Sequence, residues 1–316
     1  MLMFRFKASQ VRFTVGDIVF GGEGENPTVL IGSLFHKGHK VFIDEVSDEV
    51  NMDAVERSVK IVEELSDEYG VQHMFAVSGL TGESLWRHVC IISRITEAPL
   101  LLDGVTVKAR VECLKYIVES GMQDRIVYNT ISPQTGDEEL EAIRSSGVKA
   151  AVLLTLDPRK IWPQERLDVI KGYNGFEGLL SKARRAGIDK TLIDATVLDP
   201  PSIALTAESI LHIKNELGLP SGAAPFNAMY TWRKIREKPK DIFRACNSSV
   251  NTYLRIHGAD FIIYGPVEAG EYIIPSIAII DALLGYSLKR RNIPISSRHP
   301  LNKVFRNKQH RCRELT

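Results

Sequence analysis

Short apolar runs alternate with amphipathic stretches along most of this chain. From residue 28 the alternation becomes a repeat of strand, loop and helix. Thr28-Val-Leu-Ile-Gly-Ser-Leu-Phe reads as a first strand. The helix that follows is predicted over 50–69, with Val55, Val59, Val62 and Leu65 at helical spacing and Gly70 as its stop. Met74-Phe-Ala-Val, Pro99-Leu-Leu-Leu-Asp103, Arg125-Ile-Val-Tyr-Asn129 and Ala150-Ala-Val-Leu-Leu-Thr-Leu read as strands two to five. Their helices are predicted over 84–94, 107–120 and 136–144, and over 176–185 after an insertion at 157–173. Thr191-Leu-Ile-Asp194, Leu219-Pro-Ser-Gly-Ala and Asp260-Phe-Ile-Ile-Tyr-Gly-Pro are strands six to eight. Their helices are predicted over 202–216, 230–257 and 272–286. Before the repeat, Phe4-Arg-Phe-Lys and Val11-Arg-Phe-Thr-Val alternate as a half-buried hairpin does.

Eight strands alternating with helices imply a parallel sheet buried on both faces. Eight units in about 260 residues match a (β/α)8 TIM barrel in number and size. The organisation expected is a hairpin over 1–27 capping the barrel, the barrel over 28–288 and a basic extension over 289–316. An open doubly wound sheet is the competing architecture. The loop Gly21-Gly-Glu-Gly-Glu-Asn-Pro27 carries neither GxGxxG nor GxxxxGKS/T, which counts against a dinucleotide or phosphate cradle.

Composition changes this picture little. The chain is 44% hydrophobic and 25% charged, with a formal charge of +1, so nothing global points to nucleic acid or a membrane surface. No apolar run is long enough to span a bilayer, and the N-terminus lacks a signal-peptide pattern, so a cytoplasmic protein is expected. Cys90, Cys113, Cys246 and Cys312 are far apart and read as reduced thiols that pack.

Candidate chemistry follows from the barrel itself, whose active sites lie at the C-terminal ends of the strands. Asp103, Asn129 and Asp194 directly end apolar strands, and Asn227 falls just past strand seven. Ser33, Tyr264, Glu268 and Asp199 are secondary candidates. Asp137 and Asp157 read as helix or loop caps. No lysine ends a strand, as a Schiff base needs; Lys149 and Lys190 stand at strand starts. His36-x-x-His39 is a close histidine pair without an acid at matching spacing, so no metal is assigned. Carboxylates with amides suit a planar heterocycle rich in N–H donors. A 2-amino-4-oxo-pyrimidine edge offers adjacent N–H and NH2 groups that one carboxylate can accept together.

The run Gly21-Gly-Glu-Gly-Glu-Asn-Pro-Thr-Val-Leu-Ile-Gly-Ser-Leu-Phe-His-Lys-Gly-His-Lys40 resembles the N-terminal signature of the family formed by the H subunit of tetrahydromethanopterin S-methyltransferase. Val127-Tyr-Asn-Thr-Ile-Ser132 and Gly258-Ala-Asp-Phe-Ile-Ile-Tyr-Gly-Pro266 resemble it too. Asp194-Ala-Thr-Val-Leu-Asp199, Ala224-Pro-Phe-Asn227-Ala and His299-Pro-Leu-Asn-Lys-Val-Phe305 look more like its stand-alone, MtgA-like branch of methylcobalamin:tetrahydrofolate methyltransferases. The resemblance implies a pterin-binding barrel. Asp103, Asn129 and Asp194 would hold the pterin, and Asn227 would approach its N5. It implies methyl transfer between a corrinoid (methylcobalamin or cob(I)alamin, on a separate corrinoid-binding protein) and tetrahydrofolate or tetrahydromethanopterin. It also implies a homodimer. The readings that compete with it are a non-catalytic subunit that docks a corrinoid protein, and a dihydropteroate synthase.

Overall fold

A computed structural model describes residues 6–305. Eight parallel strands close into a barrel in sequence order, with the eighth hydrogen-bonded to the first. They are β1 Val29–Leu34, β2 Gln72–Gly79, β3 Leu100–Gly104, β4 Ile126–Ile131, β5 Ala150–Leu154, β6 Lys190–Asp194, β7 Ser221–Ala223 and β8 Phe261–Pro266. The expected (β/α)8 architecture is therefore the observed one.

Alternation along each strand sorts its side chains onto two faces. Val29, Ile31, Met74, Ala76, Leu101, Val127, Val152, Leu192 and Phe261 share one cluster inside the barrel. Leu30, Leu34, Phe75, Val77, Leu100, Leu102, Tyr128, Ile193, Ile262 and Tyr264 belong to the larger cluster beneath the helices.

The N-terminal hairpin pairs Arg12–Val15 with Ile18–Gly21 and not with the expected opening run, whose described residues Phe6 and Lys7 lie in no strand; it adds Val15, Ile18 and Phe20 to the interior cluster. Gln72, at the start of β2, bonds through its side chain to the N–H and carbonyl of Val19 and to the Pro27 carbonyl. The hairpin thus packs against the starts of β1 and β2, at the end of the barrel opposite the C-terminal mouth. Lys214 fastens this end. Its buried ammonium holds both Asp260 oxygens at 2.8 Å and the Gly22 carbonyl at 2.9 Å.

The helix after β1 is Met52–Tyr69, capped by Asn51 and ended by Gly70 at φ 74°. Two short hairpins were not expected, Phe42–Asp44 with Glu49–Val50 and Gly172–Tyr173 with Phe176–Glu177. Strands of two or three residues carry no legible period. The insertion after β5 holds a helix, Glu165–Lys171, and the following helix starts later than expected, at Leu179–Arg185. The helix expected over 230–257 is three pieces, Phe226–Thr231, Arg233–Arg236 and Lys240–Ile256, broken at Trp232 and before Pro239. The last long helix is Gly270–Lys289.

The described residues after 289 pack back on the helix Gly270–Lys289. His299 packs so closely on Gly285 that a Cβ at Gly285 would strike its ring, and a short helix, Pro300–Val304, follows. The expected tail from Arg306, with Cys312, and the opening Phe4-Arg5 lie outside the described residues. Cys90, Cys113 and Cys246 are free, and burial pushes the Cys113 thiol up to about 12. Among the described residues no helix is long and apolar enough to cross a membrane, and no group of three or more His, Cys, Asp or Glu could hold a metal.

Candidate active site at the barrel mouth

The inward parity of the strands ends in polar residues. On β1 the sequence of inward positions is Val29, Ile31, Ser33; on β2 it is Met74, Ala76, Ser78; on β3, Leu101 and Asp103; on β4, Val127 and Asn129; on β6, Leu192 and Asp194. The backbone register sets Ser78 beside Asp103 and Asp194 beside Gly222. An apolar barrel interior therefore opens at one end into a polar well.

Asp103 and Asn129 act as a pair. Asn129 Nδ2 donates to Asp103 Oδ1 at 2.8 Å, and Ser78 Oγ donates to Asp103 Oδ2 at 3.3 Å. Burial pushes the Asp103 carboxyl up; the bonds from Asn129 and Ser78 and the Arg110 charge oppose it. With one Nδ2 proton committed, Asn129 still has its side-chain carbonyl to offer. The peptide bond from Asn129 to Thr130 is cis. Thr130 Oγ1 donates to the Val152 carbonyl at 2.8 Å.

Asp194 is held on one side only. The Thr196 N–H donates to its Oδ1 at 2.8 Å, and its Oδ2 has no partner among the described residues. Thr196 takes a left-handed φ of 56° to aim that N–H. A β-branched residue seldom adopts that conformation, and such strain gathers at functional sites. Thr206 Oγ1 holds the Thr196 carbonyl at 2.7 Å, and Thr155 donates through N–H and Oγ1 to the Asp194 carbonyl. Burial raises the Asp194 carboxyl to about 6, against the Thr196 bond and the nearby Arg166 charge. A buried acid with an open oxygen can accept a second partner, and a ligand bearing two N–H donors would stabilise its charged form.

The other expected residues are placed as follows. Ser33 lies on the inward face of β1. Asn227 is exposed in the first turn of Phe226–Thr231, and its side chain makes no hydrogen bond among the described residues. That helix is pinned to the mouth by Phe226, whose ring lies over Gly265; any Cβ there would collide with it. Asp199 is exposed, and its carboxylate accepts the Ser202 N–H at 2.8 Å, so it orders the turn into Ile203–Leu217. Glu268 bonds His39 Nε2 at 2.8 Å, while His39 Nδ1 accepts the Phe35 N–H. This stitches the loop after β8 to the loop after β1 and engages both nitrogens of His39.

Tyr264 is a correction. It has outward parity, is fully buried beneath the helices, and its hydroxyl pairs with His73 Nε2 at 2.8 Å. It therefore packs the wall of the barrel and does not face the mouth. Asp157 caps no helix but orders its own loop: its Oδ1 accepts the Arg159 N–H two residues on, the Arg159 guanidinium adds two bonds and the Tyr173 hydroxyl another. Ser78, Thr130, Thr155, Thr196 and Arg166, which bond to these candidates or stand next to residues that do, are neighbours that sequence reasoning misses. Counting by two from Met74 reaches Ser78, one residue past the apolar run that ends at Val77.

The geometry defines a (β/α)8 barrel with an acid-and-amide well at its C-terminal mouth. Solved structures share this fold: the dihydropteroate synthase of Yersinia pestis matches with a TM-score of 0.58 at 12% identity, over 86% of this chain and 99% of that one. The Xanthomonas albilineans dihydropteroate synthase matches at 0.56 and 17%, over 87% and 98%. The family model for the tetrahydromethanopterin S-methyltransferase MtrH subunit matches residues 8–296, and the chain belongs to that family. It is 31% identical to the Methanosarcina mazei protein named as the H subunit of the mtx methyltransferase, over 95% of this chain and 99% of the relative. It is 30% identical to the H subunit of the Methanopyrus kandleri tetrahydromethanopterin S-methyltransferase, over 96% and 100%.

Proposed function

We propose that this protein is a methyltransferase that moves a methyl group between a methylcorrinoid and N5 of a tetrahydropterin, with tetrahydrofolate as co-substrate. The observation that carries the reading is that the half-satisfied Asp194 and the Asp103–Asn129 pair occupy inward positions at the same end of one closed barrel, in a chain of this family. Asp194 would accept the adjacent N–H and NH2 of the aminopyrimidine edge. Asp103 and Asn129 would meet a neighbouring donor–acceptor pair, with Ser78 bonded to Asp103 and Ser33 on the inward face of β1. The corrinoid supplies a cobalt that can take or give the methyl group. The chain's own task is alignment and control of the proton at N5, which Asn227 would address from past β7. The resemblance of residues 194–199, 224–228 and 299–305 to the MtgA-like branch favours tetrahydrofolate.

A corrinoid carried by a partner protein fits the surroundings of the well. The loops on this face carry exposed apolar side chains: Leu80 after β2, Val105 after β3, Trp162 after β5, Leu198 after β6 and Trp232 after β7. Apolar groups ringing a polar well suit a docking protein. Leu198→Glu is expected to raise the KM for a protein-borne corrinoid about tenfold or more, because a charge would have to be desolvated, while pterin affinity stays put. An unchanged KM would remove Leu198 from the docking surface. A homodimer is the expected assembly.

The test is an anoxic mixture of protein, methylcobalamin and tetrahydrofolate, followed by the absorbance of cob(I)alamin. Turnover is expected. No turnover with either tetrahydropterin, with free or protein-bound corrinoid, would favour a docking role instead. Asn227→Ala should lower the transfer rate about 100-fold with pterin affinity within about threefold, as for loss of a group acting at the reacting atom. Equal losses in both would reassign it to ground-state binding.

A further inference from the structure

Arg166 is 3% exposed, in the helix Glu165–Lys171 of the excursion after β5. A guanidinium buried this deeply ordinarily has a carboxylate in contact. Arg166 has none within ion-pair distance among the described residues. Its Nη1 donates to the Thr155 carbonyl at 2.6 Å, and its Nε is buried without a partner. Of the other buried cations, Lys182 is also without a carboxylate among the described residues and donates to the Pro133 and Thr135 carbonyls. Lys214 holds Asp260 and Arg255 holds Asp281, as the half-buried Arg110 holds Glu139.

The acids whose charge Arg166 feels are Asp194, Asp157 and Glu165. Asp157 is already gripped by Arg159 and Tyr173, and Glu165 lies 3.7 Å from Lys160 and accepts the Trp162 N–H. Asp194 alone of the three has no cation in contact among the described residues. The helices packed nearby, Leu179–Arg185 and Ile203–Leu217, bring no charge within ion-pair distance of either residue among those described. One hydrogen-bonded step separates the two. Thr155 takes Arg166 on its carbonyl, reaches the Asp194 carbonyl with its N–H and hydroxyl, and sets that hydroxyl 3.2 Å from Thr196 Oγ1.

We infer that Arg166 is a positioning residue that, through Thr155 and from beyond contact distance, keeps Asp194 ionised and its acceptor oxygen free for the substrate. The inference rests on the reading of Asp194 as the pterin anchor. A direct Arg–carboxylate fork would supply the same charge and occupy the lone pairs that the aminopyrimidine edge needs. A cation set one residue back supplies the charge and leaves Oδ2 open.

The pH dependence of tetrahydrofolate binding, measured anoxically, tests it. Binding should weaken as Asp194 takes up a proton on acidification. Arg166→Gln removes the charge that favours the carboxylate, so the midpoint of that loss should move up by about one pH unit. Arg166→Lys should restore it to within about 0.3 unit of wild type, since the charge is what matters. An affinity for R166Q that falls equally at every pH, with the midpoint unmoved, overturns the inference. Urea unfolding gives a readout without ligand, and it separates failure here from failure of the pterin reading. At pH 7.5, R166Q should destabilise the wild type more than it destabilises D194N. Equal effects in the two backgrounds overturn the coupling. Should R166Q alone not fold, the double variant D194N/R166Q is still expected to fold with a urea midpoint no lower than D194N. A double variant that also fails to fold makes Arg166 a structural residue only.

Discussion

Asp194→Asn is expected to cost tetrahydropterin affinity and to raise the stability of the empty protein at neutral pH. The first effect follows from the open oxygen at the mouth. An ionised carboxylate accepting two donors from one ring edge is replaced by an amide that offers one acceptor and opposes donor to donor. Losing one side of a buried charge-assisted pair costs roughly 2–5 kcal/mol, or about 30-fold to several thousand-fold in Kd. The second effect follows from burial. Asp194 titrates near about 6 in the folded protein, above the ordinary aspartate value of about 3.9. The folded state therefore holds that proton more tightly than the unfolded chain does. Stability from this group is fully present below about pH 4 and is lost as pH rises through about 6. Holding the bare carboxylate above pH 6 then costs on the order of 3 kcal/mol. The amide of D194N would carry no such charge while still accepting the Thr196 N–H. Urea midpoints should favour D194N at pH 7.5, with the gap closing towards pH 5. Calorimetry with tetrahydrofolate should give weak binding for D194N throughout, and wild-type binding that fades below about pH 6. Full affinity in D194N at pH 7.5 would take Asp194 out of the site.

The barrel is legible in the sequence because each unit announces itself twice, as a short apolar run and as an amphipathic helix with a glycine stop. Gly70, Gly121, Gly147 and Gly218 all end helices at positive φ. The two acids and the amide at the mouth are legible because Asp103, Asn129 and Asp194 terminate runs that are otherwise apolar. Position at a strand end is a weaker rule than parity along the strand, and Tyr264 marks the difference. Phe261 and Ile263 pack with the barrel interior, so Tyr264 between Ile263 and Gly265 must face the helices. Counting by two excludes it and finds Ser78. Thr155, Thr196 and Arg166 are beyond either rule. They come from three separate segments and matter only because the closed barrel sets β5 beside β6 in register, Leu154 opposite Asp194. Such neighbours are set by tertiary pairing, and no local period in one chain reports them. The helix expected over 230–257 fails for another reason. Its apolar positions keep helical spacing across Trp232 and Pro239, but Pro239 lacks the N–H a continuous helix needs there.

The second large effect is expected at Asp281→Ala, which should cost about 3–5 kcal/mol of unfolding free energy while leaving tetrahydropterin affinity of the folded fraction unchanged. Asp281 sits fully buried in the helix Gly270–Lys289. Its Oδ2 accepts the Thr28 N–H at 2.8 Å, and its Oδ1 accepts the Thr28 hydroxyl at 3.1 Å and Arg255 Nε at 2.5 Å. One carboxylate therefore fastens the start of β1, the helix Lys240–Ile256 and the last helix, where the barrel closes on itself. Removing it takes the carboxylate from a buried guanidinium and leaves the buried Thr28 N–H without its acceptor. Urea unfolding of D281A measures the first effect, and calorimetry below its transition measures the second. A loss under about 1 kcal/mol would mean the closure is carried by apolar packing alone, and a loss of affinity in the folded fraction would connect the seam to the mouth. Asp281 and Asp194 are both buried acids of one barrel, and the opposite signs expected for their removal have one cause. Both oxygens of Asp281 are engaged within the chain, so its charge belongs to the fold. Asp194 keeps one oxygen uncommitted at the mouth, so the fold bears the cost of its charge until a ligand supplies the missing donors.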